Sequence, residues 1–158
     1  MSVQHTGKLL IAEKDSAICD TLVEYFRQVG YEVWGVKVRS EIVAQALDKG
    51  CGVIILDYHL SAGEHPEILD QLIRADASAC VILITSYPLI ELVIDAYRRG
   101  ASDVVPKPLD LFEMSEVVER AFKQHELKKV YGYVRRNLDR VKQLMEEELR
   151  ERPVGSHA

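Results

Sequence analysis

The stretch Val53-Ile54-Ile55-Leu56-Asp57 decides the fold class of this chain. Four apolar residues, three of them β-branched, run directly into one carboxylate, with Gly50 and Gly52 before them and polar residues after them. A short apolar run bounded by turn residues is typical of a strand that is buried on both faces of a parallel sheet. Ligands bind to such sheets at the carboxyl ends of the strands, so Asp57 is a candidate site residue.

The rest of the chain repeats this strand pattern and alternates it with helices. Apolar runs at residues 8–12, 31–36, 80–84 and 103–105 predict further strands. Between the strands, apolar residues at helical spacing predict helices that start at Asp15 or Ser16, Ser40, Pro66, Pro88 and Asp110. This alternation predicts an α/β fold, a doubly wound five-stranded parallel sheet with helices on both faces.

The composition is that of an ordinary globular domain, with 158 residues of which 47% are hydrophobic and 28% are charged. The net charge of −5 gives no reason to expect direct nucleic-acid binding. No apolar run approaches the roughly 20 residues that span a bilayer, and no signal-peptide pattern is present, so we expect a cytoplasmic protein that does not bind membranes. Widely spaced cysteines at Cys19, Cys51 and Cys80 predict reduced core thiols, and the histidines show no metal-ligand spacing.

Beyond about Gln124 the apolar pattern becomes a heptad repeat. Its members lie alternately four and three residues apart, and they are Leu127, Tyr131, Val134, Leu138, Val141 and Met145. Such a spacing predicts the a/d seam of a coiled coil. We therefore divide the chain into a domain at 1–125, an amphipathic or coiled-coil helix at 126–152 and a disordered tail at 153–158. Two interpretations of the helix remain open: it packs on its own domain, or it forms a homodimer or a signalling linker.

Polar side chains follow four of the predicted strands, at the point where each strand ends. They are Glu13 and Lys14, Asp57, Thr85 and Ser86, and Lys107. Taken singly, each has an ordinary explanation as a turn, cap or solvated loop residue. If the strands take the order 2-1-3-4-5, however, these side chains meet at one edge of the sheet and line one pocket.

The arrangement resembles the receiver domain of bacterial two-component response regulators over about residues 7–125. The resemblance rests on five segments: Leu10-Ile11-Ala12-Glu13-Lys14-Asp15, Val53-Ile54-Ile55-Leu56-Asp57, Leu83-Ile84-Thr85-Ser86, Gly100-Ala101-Ser102-Asp103 and Lys107-Pro108-Leu109-Asp110. It implies a flavodoxin-like fold with strand order 2-1-3-4-5. It also implies a non-enzymatic signalling module in a phosphorelay.

The resemblance further implies a role for each pocket residue. Asp57 is the phosphoacceptor, which receives a phosphoryl group from a histidine kinase or a phosphotransfer protein. Thr85 and Lys107 contact that group, and Thr85 with Ser86 belongs to the conformational switch. Mg²⁺ is the implied cofactor, because positioned positive charge stabilises phosphoryl transfer. Its implied ligands are Glu13, Asp57 and the backbone carbonyl of His59.

The family also signals through one face of the domain, formed by the fourth predicted helix, the fifth strand and the fifth helix. Here that face is expected to comprise Tyr97, Arg98, Arg99, Val104 and the helix from Leu111. Val104 stands where many members carry the aromatic residue of the switch, so the usual coupling of threonine and aromatic ring cannot operate in that form.

Lys14 is the departure with the largest expected effect, because the family usually has a second acid there. An ammonium cannot bind Mg²⁺, and a Lys14–Asp57 ion pair would mimic the metal. We therefore hypothesise weakened or absent Mg²⁺-dependent phosphorylation. The alternative function is a phosphorylation-independent pseudo-receiver, an interaction scaffold in which Lys14 is paired to Asp57. The other interpretation of Lys14 is that it points to solvent and Glu13 alone recruits the metal.

A different class of protein, a flavodoxin-like enzyme or nucleotide binder, is disfavoured by the loop after the first strand. Such proteins cradle phosphate with a glycine-rich loop at this place. The loop here reads Glu13-Lys14-Asp15-Ser16 and contains no glycine.

Overall fold

A parallel sheet forms the centre of the structure. The computed structural model describes residues 5–61, 67–152 and 155. Within them the strands are β1 (Lys8–Ala12), β2 (Glu32–Val36), β3 (Val53–Asp57), β4 (Cys80–Thr85) and β5 (Asp103–Pro106). All four neighbouring pairs are parallel, in the order β2-β1-β3-β4-β5. This confirms the predicted flavodoxin-like fold class and strand order.

Helices connect the strands on both faces of the sheet. They are α1 (Ser16–Val29), α2 (Ile42–Lys49), α3 (Tyr58–Ser61), α4 (Ile68–Ala75), α5 (Ile90–Arg98) and α6 (Leu111–Glu151). Of the two N-cap candidates for α1, the structure selects Asp15, whose carboxylate accepts a hydrogen bond from the Ile18 amide at 3.1 Å. Gly30 ends this helix in the left-handed conformation, with φ of 118°.

The core consists of two layers, one on each face of the sheet. Because side chains alternate along a strand, odd and even residues of the central strands enter opposite layers. One layer packs Leu9, Ile11 and Ile55 against buried residues of α1 and α6. The other packs Leu10 and Ile54 against α2, α4 and α5. The central strands β3 and β4 are fully buried, as their continuous apolar runs predict.

Two predicted helix starts are wrong, and one polar loop contains an additional helical turn. Ser40 does not cap α2; it lies in a 3₁₀ turn at Arg39–Glu41, and α2 begins after Glu41 without a side-chain cap. Pro88 does not lie in the first turn of α5, because a tight turn in which the Leu89 amide donates to the Tyr87 carbonyl at 2.8 Å delays the helix to Ile90.

The additional turn is α3, which directly follows Asp57, and the Ser61 hydroxyl donates to the Tyr58 carbonyl at 2.8 Å to stabilise it. The prediction that Pro66 starts the next helix falls outside the described residues.

Helix α6 is continuous for 41 residues and runs through the proposed boundary at 125/126. Asp110 caps its start by accepting from the Glu113 amide at 2.9 Å. Its buried residues all lie in the first third and are Met114, Val117, Val118 and Ala121. The division of the chain at 125/126 stays a prediction, and the predicted tail at 153–158 lies outside the described residues except for 155. Among the helices described, none is both long and apolar enough to cross a bilayer.

Candidate functional site

Two buried carboxylates and one ammonium meet at the carboxyl edge of the sheet. The Nζ atom of Lys107 lies 2.8 Å from Oε2 of Glu13 and 3.7 Å from Oδ1 of Asp57. The side chains of Glu13 and Asp57 are only 2% and 5% exposed, so the Lys107 charge acts on them with little screening by water. The contact of Lys107 with Glu13 is ionic, because its angles are not those of a hydrogen bond and Oε2 has no other partner.

The ends of three strands bring these groups together. Glu13 follows β1 and its amide donates to the Val36 carbonyl at 3.0 Å, which extends the pairing of β1 with β2 by one residue. Asp57 is the last residue of β3, the neighbour of β1. Lys107 follows β5, and its amide donates to the Thr85 carbonyl at 2.7 Å. The sequence therefore folds these residues, far apart in the chain, onto one edge.

Thr85 is the last residue of β4, the strand between β3 and β5, so it lies at the same edge of the sheet. Its side chain is completely buried, and its hydroxyl oxygen accepts from the Tyr87 amide at 3.1 Å. The hydroxyl proton is not used in that bond, so Thr85 can still donate one hydrogen bond. Ser86, the other predicted switch residue, is exposed, and Val104 is half-buried against the core layer of α2, α4 and α5.

Lys14 does not form the ion pair with Asp57 that the sequence suggested. Its side chain is exposed, and within the described part of the chain it forms no ion pair, so the predicted Lys14–Asp57 pairing is wrong for this structure. The reason is directional: consecutive residues at a strand end point to opposite sides, and Glu13 takes the inward direction. The Asp15 amide donates to Oε1 of Glu13 at 2.9 Å and holds it there. Of the two interpretations of Lys14, the structure agrees with the one in which its side chain points to solvent.

A metal ion at this edge would find two acidic side chains, those of Glu13 and Asp57. Both carboxylates reach the same cation, the Lys107 ammonium, so their oxygens converge on one point of positive charge. His59, the third predicted ligand, lies beside Asp57, to whose Oδ1 its amide donates at 3.2 Å. The described residues contain no cluster of three or more His, Cys, Asp or Glu side chains around one point. The donor set thus fits a hard cation through two carboxylates, one fewer acid than the family usually supplies.

Sequence reasoning missed the aromatic rim of the pocket. The rings of His59 and Tyr87 meet edge to face with centroids 5.9 Å apart, and Tyr58 contacts His59 in the same way. Tyr87 is 66% exposed, so its ring is accessible from solvent. Its position two residues after Thr85 is the only sequence signal that could have drawn attention to it.

The predicted signalling face contains a polar connection between α5, β5 and α6. The Tyr97 hydroxyl donates to Asp103 at 3.1 Å, and Arg120 lies 3.4 Å from the same carboxylate. Partial burial and the Asp103 charge together raise the pKa of Tyr97. Arg99 points the other way and pairs with Asp70 at 2.9 Å, so it ties α5 to α4.

The three cysteines are free and buried, as predicted. Burial raises the pKa of the Cys51 thiol from its ordinary value of 9.0 to about 11. The thiolate is the reactive form of cysteine, so Cys51 is chemically inert near neutral pH.

Comparison with known proteins shows which family and which solved structures this chain is similar to. Residues 9–119 match the protein family described as "Response regulator receiver domain". The DNA-binding transcriptional regulator NtrC of Salmonella typhimurium is 25% identical over 120 residues, which cover 76% of this chain and 26% of NtrC. The regulatory protein AtoC of Escherichia coli is 26% identical over 123 residues, which cover 78% of this chain and 27% of AtoC. The chain thus spans about a quarter of the length of these relatives.

Solved structures share the same fold. NtrX from Brucella abortus in complex with ADP superposes with a TM-score of 0.73 at 24% identity, over 83% of this chain and 29% of that one. A CheY-like receiver domain protein from Methanospirillum hungatei superposes with a TM-score of 0.69 at 20% identity, over 78% of this chain and 99% of that one. Since the second protein is matched over almost its entire length, this chain contains nearly the whole fold of that protein.

Proposed function

Because this chain belongs to the response regulator receiver domain family, the receiver part of two-component regulators, we propose that it accepts a phosphoryl group on Asp57 from a histidine kinase or a phosphotransfer protein. The observation that carries the proposal is the meeting of Asp57, Glu13 and Lys107 at one strand edge, where Thr85 ends the neighbouring strand β4. A carboxylate, a cation and a hydroxyl donor are the groups that phosphoryl transfer to an acid requires.

In the proposed transfer, an Oδ atom of Asp57 forms a bond to phosphorus as the N–P bond of the donor breaks. The donor nitrogen keeps the electron pair, and negative charge spreads over the three remaining phosphoryl oxygens. The Lys107 ammonium, 3.7 Å from Asp57 Oδ1, stabilises that charge. The Thr85 hydroxyl donates its free proton in a hydrogen bond to one of the oxygens. The product is an acyl phosphate at Asp57.

Glu13 and Asp57 are the side chains that hold Mg²⁺ in this proposal, together with the His59 carbonyl. When bound, the ion supplies positive charge next to the phosphoryl oxygens. With two acids instead of three, we expect binding to be weaker than in a receiver with the full acidic set. Lys107 contacts Glu13 at 2.8 Å, so its ammonium would compete with the ion for this carboxylate.

Incubation of the chain with acetyl phosphate and Mg²⁺, followed by intact-mass measurement, tests the proposal. One phosphoryl group is expected per chain. Asp57→Asn removes the nucleophile and should abolish the gain in mass, whereas Asp48→Asn, at an exposed carboxylate remote from the pocket, should leave it unchanged. Labelling that survives in Asp57→Asn, or no labelling of the native chain by acetyl phosphate or a histidine phosphodonor, would contradict the proposal.

A second function is favoured by one observation: the Lys107 ammonium contacts both carboxylates and offsets one of their two negative charges. A pocket locked in this way suits a pseudo-receiver scaffold that binds its partner regardless of phosphorylation. In this alternative, Lys107 is the lysine that pairs with Asp57, the role that the sequence analysis gave to Lys14. Beryllofluoride, a phosphoryl mimic, separates the two functions. Amide chemical shifts around Asp57 and Thr85 change on its addition if the pocket is active and stay constant if it is locked.

The output of the module is proposed to leave through the face formed by α5, β5 and α6. The connection of Tyr97, Asp103 and Arg120 spans these elements, and α6 continues from this face into the C-terminal helix, which pairs with a second copy or a partner. In this proposal the chain is a signalling module and not an enzyme.

A further inference from the structure

The C-terminal part of α6 carries an apolar seam that nothing covers among the described residues. The seam consists of Leu127, Tyr131, Val134, Leu138, Val141 and Met145, each between 47% and 69% exposed. Two more apolar side chains, Val130 and Leu144, flank it and are 60% and 56% exposed. An apolar stripe of this length on a single helix is favourable only when another surface covers it.

We propose that a second copy of this chain covers the seam in the antiparallel direction, as a two-stranded coiled coil centred near Arg136. This goes beyond the function proposed above and does not depend on it, since no phosphoryl group takes part. Three features of the helix determine the direction: the shape of the seam residues, the position of Glu148 and the distribution of charge.

The shapes of the seam residues fit together only when the helices run in opposite directions. The larger side chains Tyr131, Leu138 and Met145 occupy the a positions, and Leu127, Val134 and Val141 occupy d. A parallel dimer prefers β-branched residues at a and leucine at d, which is nearly the reverse of this pattern. An antiparallel pair places each a residue against a d residue of the second copy. The layers are then Tyr131 with Val141, Leu138 with Val134 and Met145 with Leu127, mostly a large residue against a smaller one.

Glu148 occupies the d position that follows Val141. In a parallel pair its carboxylate would face its own copy inside the seam, which is unfavourable for two like charges. In the antiparallel pair it faces Gln124, the a residue that precedes Leu127, and a glutamine amide can donate a hydrogen bond to it.

The charge of the helix also changes sign along its length. Residues 123–142 contain seven Lys or Arg and two Asp or Glu, a net charge of +5, whereas residues 143–151 contain four Glu and one Arg, a net charge of −3. Parallel pairing aligns like charges, and antiparallel pairing places the acidic end beside the start of the basic segment. Lys123 and Glu151, both at g positions, then lie opposite each other twice in the dimer. This arrangement has one unfavourable contact: at the centre of the dimer, Arg135 lies near Arg135 of the second copy. Because Arg135 is exposed, water and salt screen the repulsion between the two charges.

The area is large enough for a stable dimer. If each of the eight apolar side chains per copy loses about 100 Å² of solvent-accessible surface, the two copies together bury about 1,600 Å². This is the size of a standard specific interface.

Cysteine crosslinking distinguishes the two directions. Met145→Cys and Leu127→Cys chains, mixed under oxidising conditions, are expected to crosslink to each other and not to themselves. In the antiparallel dimer the two copies of the same site lie about 27 Å apart along the helices, so a single variant cannot crosslink to itself. Gln143→Cys, at an outward f position, is the matched control and should stay uncrosslinked. The native cysteines are buried and do not interfere. Self-crosslinking of each single variant indicates a parallel pair, and a monomer at about 100 μM in sedimentation excludes pairing; either result overturns the proposal.

Charge reversal gives an independent test. Lys123→Glu and Glu151→Lys should each weaken self-association by up to about tenfold at low salt, because both pairs of the dimer become repulsive. An equimolar mixture of the two variants should recover the native affinity, since each pair is again of opposite charge. Failure of the mixture to recover would show that these residues do not face each other and would overturn the antiparallel register.

Discussion

At the scale of single residues, Lys107 dominates the pocket because its ammonium contacts both buried carboxylates. With Nζ 2.8 Å from Glu13 and 3.7 Å from Asp57, its one positive charge offsets part of the negative charge of two carboxylates taken out of water. Buried charges without a partner are strongly unfavourable, so the fold depends on Lys107 whether or not the protein is phosphorylated.

Lys107→Met is expected to lower the free energy of unfolding by about 3 kcal/mol at neutral pH, because it leaves Glu13 and Asp57 as an uncompensated buried pair. Urea denaturation measures the change. A divalent cation can replace the lost charge, so millimolar Mg²⁺ should restore part of the stability of the variant and have little effect on Lys107→Arg. Equal stability of Lys107→Met and the native chain would show that the ion pair is not important for folding.

Lys14→Asp is expected to increase Mg²⁺ affinity, because it replaces a positive charge next to Glu13 with a negative one, which attracts the cation even from an outward position. Lys14 is exposed, so the substitution itself should change stability by less than about 0.5 kcal/mol. Isothermal titration with MgCl₂ measures the affinity. Lys8→Asp is the control, because it makes the same change at an exposed residue at the opposite end of β1. No gain in Lys14→Asp, or an equal gain in both variants, would contradict the expectation.

The identity of the pocket residues could be predicted from sequence, but the pairing between them could not. Asp57, Thr85 and Lys107 each end an apolar run, and parallel strands bring their carboxyl ends to one edge. Which lysine enters the pocket depends on side-chain direction. The alternation at the end of β1 turns Glu13 inward and Lys14 outward, and the turn that places Lys107 against Glu13 leaves no signal in the sequence.

At the scale of elements, the strands were more predictable than the helix starts. Continuous apolar runs in β3 and β4 leave no alternative to a buried strand, whereas Ser40 and Pro88 are good starting residues that the structure does not use. Local preference at a helix start is worth about 1 kcal/mol. The packing of the turns before α2 and α5 is sufficient to move the start by two residues.

The junction of β3 with α6 is a close contact between Gly52 and His125. A Cβ atom added at Gly52 would overlap the His125 ring, whose Nδ1 forms a hydrogen bond with the Ser78 carbonyl at 2.7 Å. The lack of a side chain at Gly52 therefore lets α6 pack tightly on the start of β3.

Gly52→Ala is expected to lower the free energy of unfolding by about 1–3 kcal/mol, because the His125 ring has to leave its position. His125→Ala alone should cost about 1 kcal/mol through the lost hydrogen bond. The double variant should lose less than the sum of the two, since the small side chain at 125 removes the clash. Strict additivity in thermal or urea denaturation would show that the two residues do not interact.

At the scale of the whole molecule, α6 divides into a part that belongs to the core and a part that does not. Met114, Val117, Val118 and Ala121 are buried, and the seam beyond them is exposed. The heptad spacing could be read from the sequence. The continuity of the helix was harder to predict, because Gly132 weakens a helix locally and only the absence of proline argues for an unbroken rod.

Hydrogen exchange should therefore depend on concentration in one part of α6 only. Amides at 114–121 are expected to be protected at all concentrations, because the core covers them. Amides at 130–145 should exchange fast in dilute protein and at least about tenfold more slowly when the second copy is bound, since local opening requires dissociation. Mass spectrometry at about 1 and 100 μM measures both. Equal exchange at the two concentrations would contradict pairing through the seam.

The unbroken length of α6 also makes it a mechanical lever. Its 41 residues extend about 60 Å, of which the first third is fixed to the sheet beside the pocket. A tilt of about 5° at that fixed part moves the free end of the helix by about 4 Å. A rotation too small to alter the core therefore displaces the far end by a distance comparable to the length of a side chain. A bend at Gly132 would absorb the motion before it reaches the tip, so the stiffness of this one turn decides how far a change in the pocket is transmitted.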